Sequence, residues 1–449
     1  MRLATFKKGG VHPSDMKNLS NTQAIIRFPI PDELVVSMSQ HLGAPATPLK
    51  AVGDRVTIGE KIGQAAGFIS ADVHSPVNGT VTAIRKVTLA NSICCDALVI
   101  KPDQVNQDTD NSTGTENSGP QPNIFTARRD YNLMSGSEIL AEIKNKGIVG
   151  LGGATFPAHV KFTISPGKKV QNLVINGVEC EPYLTADHRL MLEKPYDILE
   201  GVMICRKVLH PENTIIGIEA NKMDAVKVLQ DAITEKGYPI TVMPLKMKYP
   251  QGDEKQLLKA TINREIPSGK LPLDVGAVVV NVGTAYAIFN AIVFNKPLFE
   301  RIVTISGECI NKPCNVIAPV GAKVKDLVDF AGGFKEEPDK VVSGGPMMGF
   351  SFYDLDTPIT KGTSGIIAIK DKKNYEKTAC ISCGRCVAAC PIGLQPTKLY
   401  ALITHGKYEE AMKNSLMDCK ECGCCAYSCP AHLDLVHAFK TGKKMGRKK

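Results

Sequence analysis

The chain has 449 residues, of which 43% are hydrophobic and 22% charged, with a formal net charge of +9. This composition excludes a disordered or fibrous chain, and the length predicts roughly two to four domains. The opening MRLATFKKGG holds no apolar run, and the most apolar stretch, 277–294, is interrupted by Asn281, Gly283 and Asn290. We therefore expect neither a secretory signal nor a membrane span in this sequence.

The first region, residues 1–102, carries short apolar runs punctuated by glycine, such as PLKAVGDRVTIGEKIGQ and HSPVNGTVTAI. Such runs predict short strands joined by tight turns. The two halves resemble a biotinyl/lipoyl-type barrel-sandwich domain. In carriers of that family a lysine stands on a hairpin before the PVxG turn, whereas no lysine occurs here from Ile62 to Ile84 and the equivalent place is near Phe68. We expect a structural or docking module without a swinging arm.

Residues 103–126 contain almost no side chains that could be buried. Segments that bury too little apolar surface do not offset the entropy of folding. A flexible linker is therefore predicted here.

Residues 127–295 alternate helical and strand patterns. The runs LVINGVE, TIIGIEA and AVVVNVG are short, β-branched and end in Gly, Asn or Glu, and KMDAVKVLQDAITEKG between them is helical. This alternation predicts a Rossmann-like α/β domain with a mainly parallel sheet. Ligands of such sheets bind at the carboxyl ends of the strands.

The sequence pattern of residues 296–370 predicts a small β-grasp unit. The strand-like RIVTISG is followed by NVIAPVGAKVKDLVDFAGG. This layout of glycines, proline and the VxDLVxxAGG segment resembles an SLBB domain.

Residues 371–437 contain two copies of the pattern C-x₂-C-x₂-C-x₃-C-P, which is the bacterial ferredoxin run. Each copy supplies three thiolates to one [4Fe–4S] cluster and its fourth to the other. Two intact copies make structural zinc or disulfides a poor alternative, and the helical spacing between them predicts a helical two-cluster ferredoxin domain. The ligand sets expected by that rule are Cys380, Cys383, Cys386 and Cys429 for cluster 1, and Cys419, Cys422, Cys425 and Cys390 for cluster 2.

The basic tail, residues 438–449, has two interpretations. It is a solvated, disordered end, or it contacts an anionic membrane surface or an acidic partner. Two thiolate-ligated clusters would remove about four units of charge, so the loaded protein is only mildly basic. We expect no nucleic-acid partner.

A glycine-rich segment, GLGGATFP, marks a second candidate site. Glycines at Gly150, Gly152 and Gly153 let backbone N–H groups approach a phosphate, and Lys161 could neutralise it. A tight turn with no ligand is the alternative for such a loop on its own. We find no Ser/His/Asp or Cys/His set typical of a hydrolase, so no catalytic residue is predicted.

Four segments in order resemble the flavin-bearing NADH-oxidising subunit of respiratory complex I. They are GLGGATFPAHVKF at 150–162, NGVECEP at 176–182, YPQGDE at 249–254 and NVGT at 281–284. Leu151 and Val178 depart from that family, which has arginine and aspartate there. The resemblance implies contacts to FMN from Gly150, Gly152, Gly153, Lys161, Asn176, Glu179, Asn281 and Thr284, and to the nicotinamide nucleotide from Phe156, Glu181, Gly252, Asp253 and Glu254.

The order of all these segments resembles the RnfC family, which supplies one subunit of the Rnf complex. The resemblance implies an NAD(H)-reacting subunit of a membrane-associated, ion-translocating ferredoxin:NAD oxidoreductase. It implies non-covalent FMN, two [4Fe–4S] clusters and a peripheral position on the cytoplasmic face of the membrane. The implied partners are other subunits of the redox complex, including an iron–sulfur subunit, and ferredoxin indirectly.

Two alternatives stay open at this point. One is the NADH-dehydrogenase module of a soluble hydrogenase or formate dehydrogenase, which the barrel-sandwich region argues against. The other is an electron-transfer scaffold whose flavin site has decayed. Leu151 and Val178 favour decay, whereas the intact glycines and Lys161 oppose it.

Overall fold

The computed structural model describes residues 3–103, 124–370 and 375–447. The predicted linker at 103–126 lies almost wholly outside the described residues. Four regions follow one another in the described chain, and each has the secondary structure that the sequence predicts.

The N-terminal region is built from two small antiparallel sheets. One has the order β2-β8-β7-β4 and the other β3-β5-β6. Buried aliphatic side chains from both sheets, such as Val36, Ile62 and Leu98, form a shared core. The barrel-sandwich prediction is confirmed. The strands are β1 (Ile26–Arg27), β2 (Leu34–Ser37), β3 (Thr47–Pro48), β4 (Arg55–Val56), β5 (Lys61–Gln64), β6 (Val73–His74), β7 (Gly79–Thr88) and β8 (Cys94–Pro102).

The segment before β2 makes its strand contacts outside these two sheets. Ala4 forms a bridge with Leu245 and Val11 forms one with Tyr249. Strand β1 pairs in parallel with a strand of the third region. The first thirty residues or so therefore tie the later regions together rather than completing the barrel-sandwich.

The second region is an α/β layer with a four-stranded parallel sheet of order β11-β10-β9-β12. The predicted parallel sheet is confirmed. The strands are β9 (Asn172–Asn176), β10 (Asn213–Glu219), β11 (Thr241–Leu245) and β12 (Ala277–Asn281). The helices are α1 (Gly136–Asn145), α2 (Ala158–Phe162), α3 (Ala186–Glu193), α4 (Pro195–Leu209), α5 (Met223–Lys236), α6 (Glu254–Thr261) and α7 (Val282–Val293), with 3₁₀ turns at Tyr131–Leu133, Ala220–Lys222 and Pro272–Val275.

Strand β12 and helix α7 are continuous, and Asn281 separates them. Its side-chain oxygen accepts hydrogen bonds from the backbone N–H groups of Gly283 and Thr284. An Asn in extended conformation that accepts these bonds is a favourable N-cap, since it satisfies donors that the helix leaves unpaired. The stretch that the sequence marked as too interrupted for a membrane span is thus a buried strand, a cap and a buried helix.

The third region is a six-stranded mixed sheet of order β1-β14-β13-β17-β15-β16. Helix α8 packs on it through Val324, Leu327 and Val328. The β-grasp prediction is confirmed. Its elements are β13 (Glu300–Ser306), β14 (Cys314–Pro319), α8 (Val324–Phe330), β15 (Lys340–Ser343), β16 (Phe350–Phe352) and β17 (Gly365–Ile369).

The fourth region is helical, as predicted, with a small core around Leu399, Ile403, Leu416 and Phe439. Its elements are α9 (Arg385–Ala389), α10 (Pro396–Thr404), α11 (Tyr408–Lys413), α12 (Cys424–Tyr427) and α13 (Leu435–Gly446), with a 3₁₀ turn at Leu416–Asp418.

Helix α13 runs through the point where the sequence placed the start of the basic tail. Ala438, Phe439 and Gly442 are buried against the ferredoxin core. The described part of residues 438–449 is therefore helix packed on the domain, and the interpretation of these residues as a disordered end is wrong. Lys440 and Lys444 lie on the exposed face of the same helix.

Across the described ranges, every helix is too short or too polar to cross a membrane.

Candidate flavin and iron–sulfur sites

The glycine-rich loop lies between two paired backbone positions. Val149 bridges to Pro157, and the N–H of Gly150 donates to the carbonyl of Phe156 at 2.8 Å. Between them Gly152, Gly153 and Ala154 are exposed. Gly153 has φ of +107°, a conformation that side chains with a β-carbon rarely adopt. The sequence therefore forms an open loop at this position.

The backbone N–H groups of this loop fit an anion. Within the described residues, those of Gly152, Gly153 and Ala154 donate no hydrogen bond. A β-carbon added at Gly153 would meet no atom within 4 Å, and one added at Gly152 would stop 3.4 Å from Asn281. Successive free N–H groups in a turn form an anion-binding concavity. The residues present therefore fit the phosphate of a flavin nucleotide.

The loop is held from behind by α7. The N–H of Leu151 donates to the hydroxyl of Thr284 at 2.8 Å. The side chain of Asn281 lies beside Gly152, since a β-carbon added there would be 3.4 Å from Asn281 Cβ, and its amide donates to Asp187 Oδ2 at 2.6 Å. The structure thus brings Asn281 and Thr284 beside the glycines, as the resemblance implies.

The carboxyl ends of β9 and β12 meet at the same place. The amide of Asn281 lies 3.5 Å from the carbonyl oxygen of Asn176. The amide of Asn176 donates to the carbonyl of Gly252 at 2.9 Å. Three of the predicted segments therefore converge at one edge of the parallel sheet, where ligands of such sheets bind.

Lys161 and Glu254 face each other across this edge. The ammonium of Lys161 lies 2.9 Å from Glu254 Oε1 and donates to the carbonyl of Val279 at 2.9 Å. The sequence assigned Lys161 to FMN and Glu254 to the nicotinamide nucleotide. In the structure they form one partly exposed ion pair beside the strand ends.

The other residues assigned to the nicotinamide nucleotide separate into two groups. Phe156 is half-buried at the end of the glycine loop. The carboxylate of Asp253 caps α6 by accepting from the N–H groups of Lys255 and Gln256, and burial raises its pKa. Phe156 adjoins the open loop, whereas Asp253 is occupied as a helix cap.

Glu181 is directed away from the glycine loop. Its carboxylate accepts from the hydroxyl of Tyr249 at 3.2 Å and from the N–H of Met347 at 3.0 Å. Burial raises its pKa to about 6. Glu181 thus joins the α/β region to the third region, and the structure does not bring it to the loop.

Glu179 lies beneath the strand ends in a left-handed conformation, with φ of +46°. Its carboxylate accepts from the N–H groups of Asp187 and His188 at the start of α3, and Lys17 lies 3.8 Å away. Burial raises its pKa, and Lys17 opposes that rise. Because Asp187 in turn holds Asn281, Glu179 supports the loop from below.

Three supporting residues were missed by sequence reasoning: Lys17, Asp187 and Arg301. Lys17 and Arg301 are buried and Asp187 is half-buried, and the three come from different parts of the chain. The one available signal was Arg301, a cation inside the apolar strand ERIVTIS. Its guanidinium donates to the carbonyl of Leu151 at 2.8 Å.

The second cysteine motif and the end of the first line one cavity. Cys390, Cys419, Cys422 and Cys425 are among its walls, together with Phe439. Burial raises the pKa of Cys425, and the neighbouring thiolates of Cys419, Cys422 and Cys390 raise it further. This grouping fits the crossed ligand set predicted for cluster 2.

The remaining cysteines differ in exposure. Cys386 is buried in the core of the module, with Cys429 half-buried against that core. Burial raises the pKa of Cys386, and Cys429 adds to the rise. Cys380 and Cys383 are exposed. Among the described residues, no three His, Cys, Asp or Glu side chains are arranged to hold a single metal ion.

The inner cysteines pack against the α/β region. The thiol of Cys424 donates to the carbonyl of Tyr249 at 3.9 Å, and the amide of Gln256 donates to the carbonyl of Pro391 at 3.4 Å. The N–H of Gly10 donates to the carbonyl of Ala389 at 2.8 Å. The cavity lined by Cys390, Cys419, Cys422 and Cys425 therefore adjoins the YPQGDE segment, whereas Cys380 and Cys383 are exposed.

Family models match the chain in the order of its four regions. The RnfC barrel sandwich hybrid domain matches residues 4–105 and the Nuo51 FMN-binding domain matches 143–290. The SLBB domain matches 302–351 and the 4Fe-4S dicluster domain matches 379–433. These matches support FMN and [4Fe–4S] clusters as the cofactors.

Similar proteins share this order over nearly their whole length. The chain is 42% identical to the C-subunit of the proton-translocating ferredoxin:NAD(+) oxidoreductase complex of Clostridium ljungdahlii, over 92% of this chain and 87% of that one. It is 40% identical to the C-subunit of the Na(+)-translocating complex of Acetobacterium woodii, over 98% and 96%. An NAD+-reducing [NiFe]-hydrogenase in the H2-reduced state shares the fold alone, with a TM-score of 0.51 and 15% identity over 70% of this chain and 64% of that one. The chain therefore belongs to the RnfC family of ion-translocating ferredoxin:NAD⁺ oxidoreductase subunits, as an FMN- and [4Fe–4S]-binding electron-transfer subunit.

Proposed function

We propose that this chain exchanges electrons with NAD(H) at the glycine loop and conducts them through its C-terminal module to a partner subunit. The observation that supports the loop most strongly is its row of free N–H groups at Gly152, Gly153 and Ala154. They would hold the FMN phosphate non-covalently. Gly150 shapes the start of the loop, and Asn176, Asn281 and Thr284 fix its position against the strand ends.

FMN, when bound, can take two electrons as hydride from a nicotinamide and return them singly, which iron–sulfur clusters require. The residues of the chain bind and orient the reactants. Phe156 borders the open side of the loop and could stack on a ring. Lys161 and Glu254 offer a cation and a ribose-hydroxyl acceptor beside the strand ends.

The two cysteine sets have different roles in this proposal. The set Cys390, Cys419, Cys422 and Cys425 lies against the α/β region and is the entry side. The set that includes the exposed Cys380 and Cys383 is the exit side. Electrons then pass from the flavin site at the glycine loop to cluster 2, and from cluster 2 to cluster 1.

The exit side indicates how the partner is arranged. Cys380 and Cys383 are exposed together with Ile381, which is 66% accessible. We propose that an iron–sulfur subunit of the complex contacts this face, and that ferredoxin communicates only through other subunits. The protein would be peripheral, on the cytoplasmic face of the membrane.

Gly152→Val tests the flavin site. The branched side chain would enter the space that a phosphate needs, so we expect loss of FMN and of NADH oxidation with unchanged iron content. Gly136→Val is the matched control, since its added β-carbon meets nothing closer than 3.6 Å on the far helix α1. Full FMN occupancy in Gly152→Val would place the flavin elsewhere. Wild-type protein purified anaerobically without flavin would favour the scaffold alternative.

A further inference from the structure

Arg301 is a buried cation with few hydrogen bonds. The side chain is 4% exposed, and among the described residues it donates only to the carbonyl of Leu151. Its Nε has no partner there. A guanidinium has five N–H donors, and burying it with most of them unsatisfied is costly. An apolar side chain of similar length would fill the same space at less cost, so packing alone does not explain an arginine here.

The position of Arg301 connects it to the flavin loop. It stands on β13, in the third region, and reaches behind the loop of the second. The Leu151 peptide is held from both sides, since its N–H donates to Thr284 and its carbonyl accepts from Arg301. The backbone N–H and carbonyl of Leu151 are thus both hydrogen-bonded, and the free N–H groups begin at the next residue, Gly152.

The charges around Arg301 are the carboxylates of Asp187 and Glu179. A β-carbon added at Gly283 would lie 3.3 Å from Asp187 Oδ1 and 3.4 Å from Arg301 Nη1, so both groups face Gly283. Asp187 accepts a hydrogen bond from the amide of Asn281, whose side chain lies beside Gly152. Arg301 and Asp187 therefore secure the loop through its two flanks, Leu151 and Asn281.

We propose that Arg301 is a positioning residue for the flavin, an inference that rests on the proposed flavin site. It orients the N–H row through Leu151 and places a positive charge behind the loop.

The test compares Arg301→Met, Arg301→Lys and the double variant Arg301→Met with Asp187→Asn. The double variant removes both charges, so it avoids the unpaired carboxylate that could prevent Arg301→Met from folding. We measure FMN affinity by fluorescence titration of deflavinated protein, the midpoint potential of bound FMN, and iron content. Arg129→Met is the control, because Arg129 donates to backbone carbonyls at the opposite end of α7.

We expect Arg301→Met and the double variant to bind FMN about ten- to a hundredfold more weakly, the loss of one charge-assisted hydrogen bond. Arg301→Lys should recover part of that affinity. The potential should fall in Arg301→Met, because a nearby cation is lost, and return in the double variant. Iron content should not change, and Arg129→Met should lower only the melting temperature.

Wild-type FMN affinity in a folded double variant, together with a wild-type potential in Arg301→Met and with FMN still lost in Gly152→Val, would overturn the role of Arg301 and leave the flavin site standing. FMN retained in Gly152→Val would overturn both.

Discussion

The thiol of Cys424 donates to the carbonyl of Tyr249 at 3.9 Å, across the boundary between the ferredoxin module and the α/β region. Cys424 is fully buried and stands between two predicted ligands, Cys422 and Cys425. It lines the same cavity as those ligands and also contacts the α/β region. The cysteine that the ferredoxin motif leaves out is thus part of the joint between the two domains.

This joint leads to a prediction on cluster ligation. We expect Cys390→Ser to destroy the cluster of the second motif, because Cys390 shares a cavity with Cys419, Cys422 and Cys425. Cys429→Ser should destroy the other cluster, and Cys424→Ala should keep about eight iron atoms. Iron analysis and Mössbauer spectroscopy measure the outcome. Loss of the first-motif cluster in Cys390→Ser would show that ligation is not crossed.

The order of the clusters gives a second prediction. In Cys383→Ser, NADH should still reduce the second-motif cluster, because that cluster adjoins the α/β region. In Cys422→Ser, NADH should no longer reduce the first-motif cluster, although dithionite should. Electron paramagnetic resonance after anaerobic addition of NADH reports both. Reduction of the first-motif cluster by NADH in Cys422→Ser would reverse the proposed order.

Local patterns account for what the sequence predicted well. The parallel strands, the glycine loop and the cysteine runs are each set within a few neighbouring residues. The resemblance of NVGT assigned Asn281 and Thr284 to the candidate flavin site, and the structure brings both beside the loop because Asn281 caps α7 at the end of β12. The ligand sets of the two clusters stay a prediction that rests on the spacing of the ferredoxin run.

The charged residues that support the loop could not be predicted in the same way. Arg301, Asp187 and Lys17 come together only in the folded structure. Because they are far apart in the sequence, their proximity produces no pattern of fixed spacing that could be recognised there. The prediction of a disordered end at residues 438–449 was wrong for another reason. Its lysines suggested a solvated tail, while the buried positions Ala438, Phe439 and Gly442 repeat at helical spacing and pack α13 on the core.

The barrel-sandwich region gives a prediction on pH. The ring of His41 is buried, and its Nε2 lies 2.9 Å from the carbonyl oxygen of Ala44 and 3.1 Å from the backbone nitrogen of Ala71. Burial lowers its pKa to about 4. A group whose folded pKa lies below its unfolded value of about 6.5 stabilises the fold fully above pH 6.5, and this contribution is lost as the pH falls towards 4.

Acidification from pH 7.5 to 5.5 should therefore lower the melting temperature, measured by circular dichroism. In His41→Gln the decrease should be smaller, because one titrating group is absent. His12→Gln, at an exposed position, should keep the wild-type decrease. A His41→Gln profile that parallels the wild type would rule out His41 as the source.

Lys443 is expected to protect the second-motif cluster. Its ammonium donates to the carbonyl of Cys419 at 2.6 Å and pairs with Glu421 at 2.7 Å, and its side chain is 15% exposed. In Lys443→Met the backbone around the ligand Cys419 would lose this support. The second-motif cluster should therefore lose iron to a chelator several times faster than in the wild type. Lys444→Met is the matched control, since Lys444 is exposed on the same helix. Equal rates in the two variants would show that Lys443 does not hold Cys419.

The role of Lys443 also changes how membrane attachment should be tested. Removing residues 443–449, as the sequence alone suggests, would remove a support of the cluster together with the tail. We instead replace Lys444 and Arg447 with glutamine, since both are exposed at the end of α13. If these charges meet an anionic membrane, the variant complex should attach more weakly than the wild type at 0.15 M salt, where the screening length is about 8 Å. The difference should vanish near 1 M salt, where the screening length is about 3 Å.

NADH oxidation and iron content should stay unchanged, because neither residue contacts a cofactor site. Sedimentation with membrane vesicles measures attachment, and equal sedimentation of variant and wild type at both salt concentrations would leave docking to the folded domains alone.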